Sequence, residues 1–175
     1  QQSQQISWLT FCSRSSILLT SSFSGVNAIQ PFLIKNGYIY KLPKIDYEKD
    51  DQHVTVRESC VHVVSLYNNE IYILVVVQNN KDQKVEVHLH SVSKDYTTVA
   101  KSYVLLTGLT GAMAVNVVDH LLAVHHAPTN QTMLFDVELS GKSDGSVTHL
   151  TPILQGRPIA RPLSKDGRTR VGVYS

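Results

Sequence analysis

The sequence predicts an all-β chain, and three observations carry that reading. Apolar residues cluster in short runs rich in β-branched and aromatic side chains, such as Ile71–Val77 and Val99–Leu106, which have the length and composition of strands. Clusters of Asn, Gly, Pro and Ser punctuate these runs at short intervals, so neighbouring strands join as hairpins. No segment carries an apolar stripe at helical spacing, and the charged stretch Lys44–Glu58 (KIDYEKDDQHVTVRE) reads as a surface loop. Consecutive meanders of this kind fit the antiparallel blades of an incomplete, WD40-like β-propeller. A ~40 to 45-residue blade would fit about four times in 175 residues. An antiparallel sandwich would explain the same strands.

The clearest blade is Ala114–Leu139 (AVNVVDHLLAVHHAPTNQTMLFDVEL). Its apolar runs Ala114–Val118, Leu121–Val124 and Met133–Val137 are separated by Asp119-His120 and by the loop Ala127–Gln131. Ahead of it, Ile6–Arg14 and Ile17–Phe23 form a hairpin across Ser15-Ser16. Val26–Ile34 then meets Tyr38–Leu42 across Asn36-Gly37, a type I′ signal because both residues tolerate positive φ. Pro31 inside the former predicts an edge strand or a bulge, since proline cannot donate to a ladder. Cys60–Leu66 pairs with Ile71–Gln78 across Tyr67–Glu70, and the continuous run IYILVVVQ predicts a strand buried on both faces. In Lys84–Ser93, Val85, Val87, Leu89 and Ser91 alternate with Lys84, Glu86, His88 and His90. The first set predicts a core face and the second a solvated or lightly covered one. Val99–Leu106 follows, then the turn Gly108–Gly111. Past Leu139, 140–145 reads as a turn and Val147–Leu150 as a short strand, with about ten or eleven strands expected in all.

Hydrophobic content of 42% and charged content of 17% describe a globular chain with a rather neutral surface. A net charge of +2 is too small to argue for nucleic acid or direct membrane attraction. The charge is uneven: in the 25 residues from Thr151, Arg157, Arg161, Lys165, Arg168 and Arg170 stand against one acid, Asp166, giving +4. The total of +2 therefore leaves the other 150 residues at −2. Cys12 and Cys60 lie in apolar, strand-like surroundings, which predicts buried reduced thiols and a reducing compartment. Asn130-Gln131-Thr132 is a lone glycosylation sequon with nothing beside it to suggest secretion. No apolar run approaches the ~18 residues of a membrane span. The opening Gln-Gln-Ser-Gln-Gln, without an initiator Met, suggests a piece of a longer polypeptide. These features divide the chain into 1–150, about three to four blades of a propeller; 151–170, a basic loop containing Pro and Gly; and 171–175, the start of a further strand.

Candidate chemistry is sparse. His88-x-His90 sets two imidazoles on one strand face, and His125-His126 ends another strand. Two His at i, i+2 with a third ligand suit zinc, but no Cys pair or Glu-x-x-His accompanies them. Gly141-Lys142-Ser143 mimics the end of a phosphate loop but lacks the earlier glycine, since Asp136 stands there. Asp119 and Asp136 are the best carboxylate pair, and an Asp at a strand end more naturally bonds turn amides than performs acid–base work. No Gly-x-Ser-x-Gly elbow or Cys/His arrangement occurs. The residues therefore nominate no catalytic, metal or cofactor site and no defined partner contact.

The stretch Ala114–Val147 resembles the propeller region of the Mic-one-like/Bulli family, the regulator subunit of the Mon–Ccz guanine-nucleotide exchange complex. Asn116–Asp119, Val124–His126, Phe135-Asp136 and Asp144–Val147 carry the resemblance, with weaker similarity at Ile29–Phe32 and Lys41–Lys44. It implies an N-terminal β-propeller ahead of an α-helical part not contained in this chain. It also implies a non-catalytic scaffold without a cofactor, joined to the Mon and Ccz subunits, which activate a late-endosomal Rab GTPase. The implied setting is the cytosolic face of late endosomes and lysosomes, in vesicle trafficking and autophagy, with the membrane reached through the complex. Three alternatives stand beside it: a metal-dependent β-fold hydrolase using His88 and His90, a generic propeller interaction module, and a basic tail that docks on anionic lipid or an acidic surface.

Overall fold

A computed structural model describes residues 5–22, 25–47, 56–79, 82–139 and 141–156. The basic residues Arg157–Arg170 and the expected strand at Val171–Tyr174 lie outside them.

Fifteen strands are present among the described residues, with one-turn 3-10 segments at Glu58–Cys60 and Tyr67–Asn69 and no α-helix. The first sheet runs β1 (Ile6–Cys12), β2 (Ile17–Ser22), β3 (Gly25–Lys35) and β4 (Tyr38–Lys41), and β5 (Ile45–Asp46) also pairs with β3. The central sheet is built from β6 (Val61–Ser65), β7 (Ile71–Gln78), β8 (Val85–Val92) and β9 (Val99–Leu106). The third consists of β10 (Met113–Val118), β11 (Leu121–His126) and β12 (Gln131–Phe135). Asn36 and Gly37 both take positive φ, 54° and 78°, as the two-residue turn between β3 and β4 requires. The described strands form open sheets, with no closed barrel or ring.

The sheets stack by their apolar faces, and β7 shows why. Alternate side chains leave opposite faces of a strand, so Ile73, Val75 and Val77 enter a core shared with Ile17, Leu19, Ile29 and Leu33 of the first sheet. Tyr72 and Leu74 face the other way, into a core with Leu122, Val124, Met133 and Phe135 of the third. The continuous apolar run of β7 thus reflects a strand covered on both sides, as its pattern predicts.

Four expectations need correction. Strands are not all antiparallel meander: after β12 the chain returns as β13 (Lys142–Asp144) and β14 (Val147–Leu150), and β14 pairs with β9 in parallel. The expected turn at 140–145 thus contains a strand, and β15 (Leu154–Gln155) rejoins the third sheet beside β12 where a loop was expected. Strands of two or three residues are too short for alternation to reveal. Pro31 lies neither on an edge strand nor at a bulge. It sits inside β3, where pairing on one side passes from β4 (through Phe32) to β5 (through Ile29). Its carbonyl points into that gap and accepts from the Leu42 N–H, so its missing N–H would have pointed there too. The Gln30 side-chain amide fills the gap, donating to the carbonyls of Pro31 at 3.0 Å and Leu42 at 2.7 Å. Finally, Lys44–Glu58 is not purely surface: Ile45, Tyr47 and Val56 are buried in the first core.

Candidate functional site

Polar side chains collect at the two sheet-to-sheet junctions and in one groove. The first junction holds His88 and His90. Val87 and Leu89 of β8 face the third sheet, so the two histidines face the first. They are 1% and 6% exposed, which overturns the expectation of a solvated face. Tyr47 causes the difference. It follows β5, donates its N–H to the Asn27 carbonyl, and lies over β8 with its hydroxyl oxygen 2.9 Å from His90 Nε2. Its ring stacks on His88 with centroids 5.8 Å apart.

The His88 Nε2–H donates to Glu86 Oε2 at 3.1 Å, and Asn79 donates to the other oxygen. The hydrogen bond from His88 is the main cause that holds the Glu86 carboxyl below the usual range. Burial, with smaller contributions from His88 and Lys101, lowers the His90 imidazole to about 3, so it is neutral at physiological pH. Each of the two imidazoles is thus bonded through Nε2 to a neighbouring polar group. Leaving a buried polar group unpaired costs about 1–3 kcal/mol.

At the second junction the Tyr67 hydroxyl reaches both carboxylate oxygens of Asp136 at 3.0 Å, and the Tyr67 ring stacks on His120 at 4.6 Å. Asp136 also accepts from the Glu138 N–H, the turn-amide role expected of it. Burial, then Asp136 itself, raises the Tyr67 phenol. Asp119 takes a positive φ of 59° in the β10–β11 turn. Its carboxylate lies 3.4 Å from His120 and is well exposed.

The remaining candidates are likewise engaged. His125 contacts Thr132 Oγ1 and Asn116 Nδ2 through its two nitrogens. His126 contacts Thr129 Oγ1 and donates from Nε2 to the Thr110 carbonyl. Gly141 has no room for a Cβ, which would strike the His149 carbonyl, so its job is close approach between β13 and β14 rather than phosphate binding. Gly111 closes a turn at φ 105°. Ser91 and Ser102 hydroxyls bond one another at 2.6 Å. Cys12 and Cys60 are free thiols, half-buried rather than fully buried as expected. Among the described residues no group of three or more His, Cys, Asp or Glu is placed to hold a metal ion, and no helix is long and apolar enough to cross a membrane.

A groove of about 210 Å³ brings together Cys12, Arg14 and Ser15 at the end of β1, Val63–Ser65 of β6 and Val117 of β10. These are the opening strands of the three sheets.

Sequence reasoning missed Tyr47, Glu86 and Tyr67 as organising residues. For Tyr47 a signal existed: Ile45-x-Tyr47 places two large side chains on one strand face inside an otherwise charged run. Nothing local marks the partner of Tyr67, whereas the i, i+2 spacing of Glu86 and His88 already sets them on one strand face.

Stacked sheets, with His88, His90, His125 and His126 engaged in internal contacts, define an all-β fold. No protein-family model matches the chain. It is similar to the regulator of MON1-CCZ1 complex of Mus musculus, 31% identical over 161 residues, which is 88% of this chain and 24% of that protein. The Homo sapiens protein of the same name is 30% identical over the same shares. These relatives, matched along 88% of the chain, agree with the resemblance noted at Ala114–Val147. The chain spans about a quarter of the length of the curated relatives it matches.

Proposed function

We propose that this chain is a non-catalytic piece of a regulatory subunit that binds a Mon–Ccz exchange complex. The observation that carries it is the similarity along 88% of the chain to relatives named for regulating that complex. The geometry supports it, because the buried His, Tyr and carboxylate groups bind one another and leave a rigid framework that can hold partners without chemistry. Residues 1–150 form part of a WD40-like propeller, an assignment supported by three stacked sheets whose first strands share one groove. In this reading the basic segment that follows β15 is a connecting loop and 171–175 opens a further strand. The subunit acts, through the complex, on a late-endosomal Rab GTPase at the cytosolic face of late endosomes and lysosomes, in trafficking and autophagy.

Co-purification tests it. The polypeptide at the length of its relatives, tagged and expressed with Mon and Ccz subunits, is expected to elute with them in one peak. Separate elution at micromolar concentration would refute the assignment. The generic interaction module then remains, while the hydrolase reading has lost the open His88/His90 face it needed.

A further inference from the structure

An open cavity of about 440 Å³ lies at one end of the central sheet, beside the turns that precede β7 and follow β8. Its floor is Tyr72 of β7, Ser91 of β8, and Ser102 and Tyr103 of β9, while Glu70 and Lys94 stand exposed at its rim. Tyr72 pairs with Ser91 and Leu89 with Tyr103, which puts these side chains on the face that meets the third sheet. Between Lys101 and Tyr103 the ladder skips one residue, so Ser102 is the extra member of a bulge. A bulge re-aims a side chain. Here it turns Ser102 onto Ser91, hydroxyl to hydroxyl at 2.6 Å. The volume suits a single side chain or a small molecule.

Three hydroxyl protons on this floor are spent internally. Tyr72 donates to Glu70 Oε2 at 2.9 Å. Burial, then that bond, raises the Tyr72 phenol, so it keeps its proton and remains the donor. Of Ser91 and Ser102, one donates to the other and the second to the Ala100 carbonyl. All three oxygens are left with lone pairs to offer. Beside them stands the Glu70 carboxylate, with which no cation pairs among the described residues. Acceptors gathered around an anion select a ligand that is cationic and rich in N–H donors. Tyr72 and Tyr103, with centroids 6.0 Å apart and planes inclined at 59°, add aromatic surface on which a planar cation stacks. We propose that this cavity binds a guanidinium group, the side chain of an arginine on a partner polypeptide, with its fork on Glu70. An ammonium, with fewer donors and no fork, fits the same acceptors less well. Lys94 is the opposing charge at the rim, and the sign of its effect is diagnostic. The site is built within this chain and does not depend on the exchange-complex reading.

Calorimetric titration tests it, with the polypeptide at the length of its relatives and without Mon or Ccz. Acetylarginine amide is expected to bind at one site with a Kd on the order of 1 mM. The citrulline analogue, of the same shape but uncharged, should bind at least about tenfold more weakly. Glu70→Gln is expected to weaken the arginine probe about tenfold, and Lys94→Gln to strengthen it about twofold. Absence of saturable binding up to about 10 mM, or equal binding of the two probes, would overturn the proposal. So would weaker binding after Lys94→Gln, which indicates a site for an anion. An unchanged affinity in Glu70→Gln would place the probe elsewhere on the surface and overturn it as well. Circular dichroism checks that both variants are folded, and should Glu70→Gln fail, Lys94→Gln carries the sign test alone. A negative result here leaves the co-purification outcome untouched, so the two readings fall separately.

Discussion

Tyr47 places its hydroxyl 2.9 Å from His90 Nε2, and this contact between residues forty-three positions apart fastens the first sheet to the central one. The bond is buried, so neither group has water to fall back on. Removing the hydroxyl alone in Tyr47→Phe is expected to cost about 1 kcal/mol in urea unfolding. Tyr47→Ala, which also removes the ring from His88 and the core, is expected to cost about 3–5 kcal/mol. Equal losses in the two variants would show that the hydroxyl contact, not the ring, does the fastening.

His90 makes stability depend on pH. Folding holds its imidazole at about 3, while in the unfolded chain it returns to about 6.5. Between those values the unfolded state takes up a proton that the folded state refuses. Stability is therefore full above about pH 6.5 and falls as pH drops towards 3, by up to about 1.4 kcal/mol per pH unit for this group. His90→Gln, which cannot titrate, is expected to flatten the stability profile between pH 6 and 4 by about one proton. An unchanged slope would mean that His90 is not the group responsible.

Asp136 and Asp119 are expected to differ in structural weight. Asp136 receives Tyr67 and a turn N–H, whereas Asp119 makes one long contact to His120 while well exposed. Asp136→Asn should lower the thermal midpoint clearly, and Asp119→Asn should change it little. Thermal unfolding of the two single variants settles the order.

Zinc should not interact with the His88/His90 pair in the folded protein. His88→Ala is expected to leave the metal content of purified protein unchanged while lowering stability, because Glu86 loses its donor and Tyr47 its stacking partner. A stoichiometric metal that disappears with His88→Ala would restore the hydrolase reading.

Much of the fold is legible in the chain because its signals are local. The runs at Ile71–Gln78 and Val99–Leu106 coincide with β7 and β9, and the Ala114–Val137 meander appears as β10, β11 and β12. The Asn36-Gly37 turn follows from two residues that accept positive φ. The buried histidines were not legible. Alternation says that His88 and His90 share a face, but what lies over that face comes from Tyr47, outside the strand and its hairpin partners.

The sequence by itself determined strand positions, the two-sided burial of β7 and the similarity to the regulator of MON1-CCZ1 complex, since each rests on residue order. Only the tertiary structure decided which sheet each strand joins, as in the return of β14 to pair in parallel with β9. It likewise decided that two apparently wet histidines are dry. Both outcomes depend on contacts between distant segments, and a strand's own pattern records that a face is apolar or polar without recording what covers it.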